Sequence, residues 1–503
     1  MFKRLPFSNA NVPVFILIFV CMLAVTYFRF RFHWPDVFVG DDLTVFLDYK
    51  DGIFGSNLQQ VWLGTVAEKF RPIFNLALSS ELKFFGLDFY KYLILNSLLQ
   101  ALNATLVFAI FRRISCGNTI LAIALSAAIA SSRFALYQVA QALGVLEGLA
   151  LTLFLVCFYC VLRAWNDERF GYRWALGAVC AIFLATHVHE RFIVVCFFLT
   201  VVFWKMPTFR TFTRSQTIWI FSCCLFVPVF NVICKTALGL PFLVGTGGTH
   251  YSFDIQRTID QLQQVVFSIF QWNEGPQYLV GVRTLDLPWF PAFIAPIFFD
   301  VIWVATISFA LNQIAYRRTL KAKLKDLVAP SLLICLAGFL AGPPLLTIRI
   351  EQRWLFAPYI IALAIFAWAA GSLRERWRSP VTFAAIILGG LSISVDSRLI
   401  PYCHEIFFVF DVPLYSALKR DIVGKHLTNS LPIAFVSGEG YCSPLAHAED
   451  FFRLYEGQYR KVFCFSKVDD IKSDLPKSTL VYIVKKLPQI HFYQISNSEK
   501  LTL

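Results

Sequence analysis

The chain has 503 residues, of which 57% are hydrophobic and 15% charged, with a mean hydropathy of +0.62. Soluble domains carry about a quarter charged residues, so this composition excludes a single water-soluble core and puts most of the chain in lipid. The formal charge of +13 would suggest nucleic acid in a soluble protein, but eighteen basic residues against four acidic ones fall in six short windows (1–13, 112–118, 163–173, 205–216, 316–326 and 372–380) that carry the whole excess. That is a positive-inside topology signal and excludes a nucleic-acid partner.

In chain order, membrane-spanning apolar runs lie near Val14–Phe28, Tyr90–Phe111, Thr119–Phe134, Leu143–Leu162, Trp174–Thr186, Phe192–Trp204, Thr217–Leu238, Pro291–Ile314, Leu327–Leu346, Trp354–Trp368 and Val381–Val395. At about 20 residues per crossing they predict an all-α polytopic bundle of about 11 transmembrane helices. No small-residue cleavage pattern follows Tyr27-Phe28-Arg29, so the first run reads as an uncleaved span. With Lys3 and Arg4 inside, an odd number of crossings puts the C-terminus outside. The basic connections are short, whereas three exterior segments are long, at about 30–88, 239–290 and 399–503. The expected organisation is a transmembrane domain over 1–399 and a small exterior α/β domain over 400–503. The second has β-like runs at Pro432–Val436, Val462–Ser466 and Thr479–Val484 and a helical stretch near Ala446–Tyr459.

Thirteen cysteines are present, mostly in or beside apolar runs. Cys157 and Cys160 read as packing residues inside a span, and Cys403, Cys442 and Cys464 leave room for one exterior disulfide in an oxidising compartment.

Charged groups at the rim of a hydrocarbon layer cost several kcal/mol unless they face a wet cavity or a partner, so four clusters stand out as functional candidates. Gly40-Asp41-Asp42 follows the first span, and one carboxylate can serve as a base while the other caps the helix that begins at Leu43. Lys69-Phe70-Arg71-Pro72 sets an arginine before a proline that can open a helix; the guanidinium can bind phosphate or reach lipid headgroups. His187-Val188-His189-Glu190-Arg191 lies between two short runs and is placed at a sunken pocket, as phosphate contacts or as a Glu190–Arg191 self-paired lock. Arg349-Ile350-Glu351-Gln352-Arg353-Trp354 brackets a glutamate with two arginines, beside a tryptophan suited to anchoring at an interface. The stretch 244–251, Val-Gly-Thr-Gly-Gly-Thr-His-Tyr, reads as an exterior turn; it lacks the Lys-Ser/Thr ending of a nucleotide loop.

The order of these clusters resembles the GT-C superfamily of membrane glycosyltransferases, in the bacterial branch near protein mannosyltransferases and lipid A aminoarabinose transferases, over roughly residues 10–400. The resemblance implies a catalytic base at Asp41 or Asp42 and a donor-phosphate site at Arg71, His189, Glu190, Arg191, Arg349, Glu351 and Arg353. His189 stands where relatives carry lysine. A polyprenyl-phosphate sugar donor, membrane lipids and a lipid, glycan or protein acceptor are the implied partners, on the exterior face of a bacterial inner membrane. Sugar transfer is expected to invert the anomeric carbon. No cofactor is firmly implied, and a divalent metal is left open. A polysaccharide polymerase or ligase, and a lipid-linked saccharide flippase, are the rival readings.

Overall fold

The computed structural model describes residues 11–50, 69–240, 254–273 and 294–404, apart from 168, 317–318 and 348–349. In the C-terminal part it describes 411–423, 431–436, 445, 448–457, 459–465, 479–486 and 490–495. Helices α1 (Asn11–Phe30), α2 (Asp41–Lys50), α3 (Pro72–Phe85), α4 (Phe89–Ile114), α5 (Thr119–Ala130), α6 (Leu136–Ala140), α7 (Val145–Asn166), α8 (Gly171–Val188) and α9 (Val194–Lys205) make up the first half. The second half holds α10 (Arg214–Ala237), α11 (Ile255–Ile269), α12 (Ile294–Ala315), α13 (Leu320–Leu345), α14 (Phe356–Ser372), α15 (Glu375–His404), α16 (Asp411–Leu418) and α17 (Ala448–Glu456).

Among the described residues, the predicted apolar runs are mainly helical, because in lipid a helix satisfies its backbone within one segment. Among the described residues, nine helices are long and apolar enough to cross a membrane, and α5 with α6 makes a tenth as a pair bent by 49°. The remaining run is α9, whose 12 residues span about 18 Å against a hydrocarbon core of about 30 Å. It continues a single 3-10 turn over Glu190–Ile193, so the polar corner there has drawn residues out of the helix. Helix α15 runs to His404, through the expected domain boundary at 399/400.

Helix α14 is buried along nearly its whole length and α7 along most of it, whereas α1 and α10 present large apolar side chains outward. Two glycines shape the end of the bundle that carries the polar clusters. At Gly144, just before α7, a Cβ would lie 2.1 Å from the carbonyl oxygen of Gln138, so only glycine admits this close turn. Gly40 has φ +57°, the left-handed region that glycine enters freely, and it launches α2.

The bend between α5 and α6 is held by Arg133, fully buried and ion-paired with Asp396 on α15. Its remaining guanidinium donors go to the carbonyls of Ser268 (2.7 Å) and Asn273 (2.9 Å) and to the Gln271 side chain (3.0 Å). A buried charge with this many partners fastens the α11 segment to the bundle.

Strands β1 (Ile433–Val436), β2 (Val462–Phe465), β3 (Leu480–Lys486) and β4 (Ile490–Ile495) form one sheet in the order β2-β1-β3-β4. The first three match the predicted runs; β4 is an addition, paired antiparallel to β3 with Val481 opposite Ile495. Strand β1 lies parallel to both neighbours, with Ile433 opposite Val462 and Leu480. Side chains alternate between faces: Ile433, Phe435 and Tyr482 join the main core, while Ala434, Val436 and Val481 form a small cluster of their own. This unit grips the segment around α2. The Phe38 N–H donates to the Tyr455 hydroxyl at 3.1 Å, and Lys50 Nζ donates to the last carbonyls of α17, Arg453 and Leu454, at 3.0 Å each. Cys464 is disulfide-bonded, whereas Cys157 and Cys160 are free thiols.

Candidate functional site

Two segments far apart in sequence, the His189–Arg191 turn and the Glu351–Arg353 turn, converge on one carboxylate that was not among the expected site residues. Glu147 lies in the first turn of α7, 2% exposed, placed there by the turn at Gly144. Arg191 pairs with it through both guanidinium nitrogens, one contact being 3.4 Å. His189 Nε2 lies 3.5 Å and Arg353 Nε 3.7 Å from Glu147 Oε1. Arg353 also pairs with Glu351 and stacks over the Tyr137 ring at 3.7 Å. The arginine fork suits this geometry because one plane can serve a carboxylate and an aromatic face together.

Glu190 organises a second group. Lys235, in the last turn of α10, lies 2.5 Å from it, and Arg71 Nη2 lies 3.9 Å away. Glu190 and Arg191 are therefore not a self-paired lock, since each takes a partner from another element. Pro72 opens α3 at its first turn, where a missing N–H costs nothing, and this leaves Arg71 as the cap residue facing the cluster.

The site is almost dry: Lys69 is 3%, Arg71 7% and His189 2% exposed. Burial, reinforced by neighbouring Arg71, pulls the Lys69 ammonium down to about 8. Burial and the nearby Arg71 also push His189 well below its usual range, so its imidazole is neutral. Its Nδ1 accepts the Arg191 backbone N–H at 3.4 Å, which leaves the Nε2 proton pointing into the cluster. Arg71 Nε and Nη2 are buried with no hydrogen-bond partner. Such donors are costly when unmet and strongly attract an anion.

Arg71, His189, Glu190, Arg191, Glu351 and Arg353 are thus brought together across the fold. Arg349, the side chain of Asp41 and the 244–251 stretch lie outside the described residues. Asp42 is a correction to the capping expectation: it sits inside α2, and its carboxylate accepts the N–H groups of Ala142 and Leu143, each at 2.9 Å. It caps the turn that leads into α7, not its own helix. Tyr137, Glu147 and Lys235 complete the cluster without having been singled out, and Lys69, quoted with Arg71 but given no role of its own, joins them. Glu147 and Lys235 carried a signal, as charges inside apolar runs. Among the described residues, no group of three or more His, Cys, Asp or Glu could hold a metal ion.

No protein-family model matches the chain, and no curated protein matches it. Among solved structures, the chain is similar to ArnT from Cupriavidus metallidurans. Against the apo form the identity is 13% and the TM-score 0.48, over 95% of this chain and 93% of that one. Against the form bound to undecaprenyl phosphate the identity is 13% and the TM-score 0.43, over 95% and 94%.

Proposed function

We propose that the protein is a GT-C-type membrane glycosyltransferase that moves a sugar from a polyprenyl-phosphate donor to an acceptor hydroxyl at the exterior face of the inner membrane. The observation that carries this reading is Arg71, whose Nε and Nη2 are buried without hydrogen-bond partners beside Lys69, Arg191 and Arg353. A lipid-linked phosphate satisfies those donors, and a lipid substrate explains why the site lies at one end of a membrane bundle.

In the reaction, the acceptor oxygen attacks the anomeric carbon while the bond from that carbon to the phosphate oxygen breaks. The acceptor proton passes to a carboxylate, and the departing polyprenyl phosphate takes the bonding electron pair. Arg71, Lys69 and the His189 Nε2–H bear on that leaving charge; Glu147 and Glu190 hold the cations in place. Asp41 is the base, because Asp42 spends both carboxylate oxygens on backbone N–H groups. Attack from the face opposite the phosphate inverts the anomeric centre. The basic windows on the other side and the disulfide of Cys464 support an exterior, oxidising setting for the site and the C-terminal unit.

The test is a panel of polyprenyl-phosphate sugars offered to the purified protein in detergent. One of them should be consumed with release of polyprenyl phosphate, and Asp41→Asn should lower the rate by about 10²–10⁴ with donor binding retained. Asp42→Asn should cost about 1 kcal/mol of stability instead. Normal transfer by the double variant would reject the mechanism and shift the weight to a polymerase or transporter.

A further inference from the structure

Helix α11 lies in the segment between α10 and α12 and has three distinct faces. At about 100° per residue, Ile255, Ile259, Leu262 and Val266 fall within an arc of about 60°. All four are exposed, at 76, 53, 46 and 41%. A polar strip of Gln256, Asp260 and Gln263 adjoins that arc on one side, with Gln256 Nε2 donating to Asp260 at 3.1 Å. The third face meets the protein through buried Val265 and Ser268. Phe267, exposed within the polar strip near the helix end, is the one large apolar exception.

Two tethers set the height of this helix relative to the bundle. Gln261 Nε2 donates to the Thr347 carbonyl at 3.1 Å, just past the end of α13 and four residues before Glu351. Arg133 holds the Ser268 and Asn273 carbonyls at the other end. Thr347 lies four residues before Glu351, and Arg133 four residues before Tyr137, the ring under Arg353, so both anchors lie close to the Glu147 cluster.

A helix tethered at that level, with protein on one side, a continuous aliphatic stripe on the next and a polar strip beyond it, has the layout of an in-plane interfacial helix. We infer that α11 lies in the membrane surface on the phosphate-cluster side, with Ile255, Ile259, Leu262 and Val266 seated among lipid chains and Gln256, Asp260 and Gln263 in water. The helix thereby forms a sill between the leaflet and the Glu351–Arg353 turn. The inference rests on the faces and tethers of α11 alone, so it stands or falls separately from the glycosyltransferase reading.

The test places a photo-crosslinking benzoylphenylalanine at position 259 or 262, and at 256 or 263 as controls on the same helix. The full chain is held in nanodiscs of phosphatidylethanolamine and phosphatidylglycerol. Mass spectrometry should find lipid adducts several-fold more abundant from 259 and 262 than from 256 and 263. Equal lipid adducts at all four positions would overturn the assignment, as would protein–protein crosslinks dominating at 259 and 262, which would mean that a second copy covers the stripe.

Discussion

Lys69 is the residue whose chemistry is most sensitive to conditions. A lysine in water titrates near 10.4, whereas burial beside Arg71 brings this one down to about 8. Its ammonium is fully formed below that value and lost above it, so an anion gains its help only at lower pH. Undecaprenyl phosphate, used as a probe in detergent, should bind with constant affinity from pH 7 to about 8. Above that range it should weaken by up to about tenfold per pH unit. Lys69→Arg keeps its charge throughout and should flatten the profile, and an unchanged slope in that variant would assign the titration elsewhere. His189 adds no competing step, because burial and its cationic neighbours keep it neutral throughout.

Helix α3 carries the Arg71 corner at its start and a second buried acid further along. Glu81 is 7% exposed, and burial raises its carboxyl to about 8. Its folded value lies above the unfolded value of about 4.3, so the folded state keeps a proton that the unfolded chain releases. The resulting stability is full below about pH 4.3 and declines as pH rises towards 8. Glu81→Gln carries no such penalty. Its thermal midpoint should match the parent at pH 4 and exceed it at pH 8, by an amount corresponding to roughly 4 kcal/mol. A parallel offset at both values would show that packing, not ionisation, is what the substitution changed. Helix α2 shows the same dependence between elements in another form: Asp42 is local in sequence to α2 but acts on the turn a hundred residues away that aims Glu147.

At the scale of the whole molecule, the charge windows predict which side of the membrane each end faces. A membrane-impermeant label should reach position 459 in the C-terminal unit from outside intact cells and should miss position 169 between α7 and α8. The reverse pattern would place the cluster around Glu147 and Glu190 on the cytoplasmic face. Position 459 is suited to this because Tyr459 is 61% exposed.

The membrane bundle was legible in the sequence because each apolar run needs no distant partner to become a helix: the bilayer supplies the apolar environment and the backbone satisfies itself. The short strands of the C-terminal unit were nearly as plain, since Ile433–Val436 and Leu480–Lys486 carry the β-branched and aromatic side chains that fit a pleated surface. The polar rim was legible as candidates, because Arg71, His189 to Arg191 and Glu351 to Arg353 are too costly beside lipid to lack a reason. Their pairing was not. Glu190 and Arg191 are neighbours in sequence that take opposite partners, Lys235 and Glu147, because side chains at a helix end diverge and each is claimed by whichever helix packs against it. The role of Asp42 likewise depended on where residues 142 and 143 arrive. Sequence alone settled which segments enter the bilayer and which charges need an account, through hydropathy and the cost of burying ions. Only the tertiary structure decided which cations share Glu147 and which carry unmet donors, because those relations exist between helices and not along them.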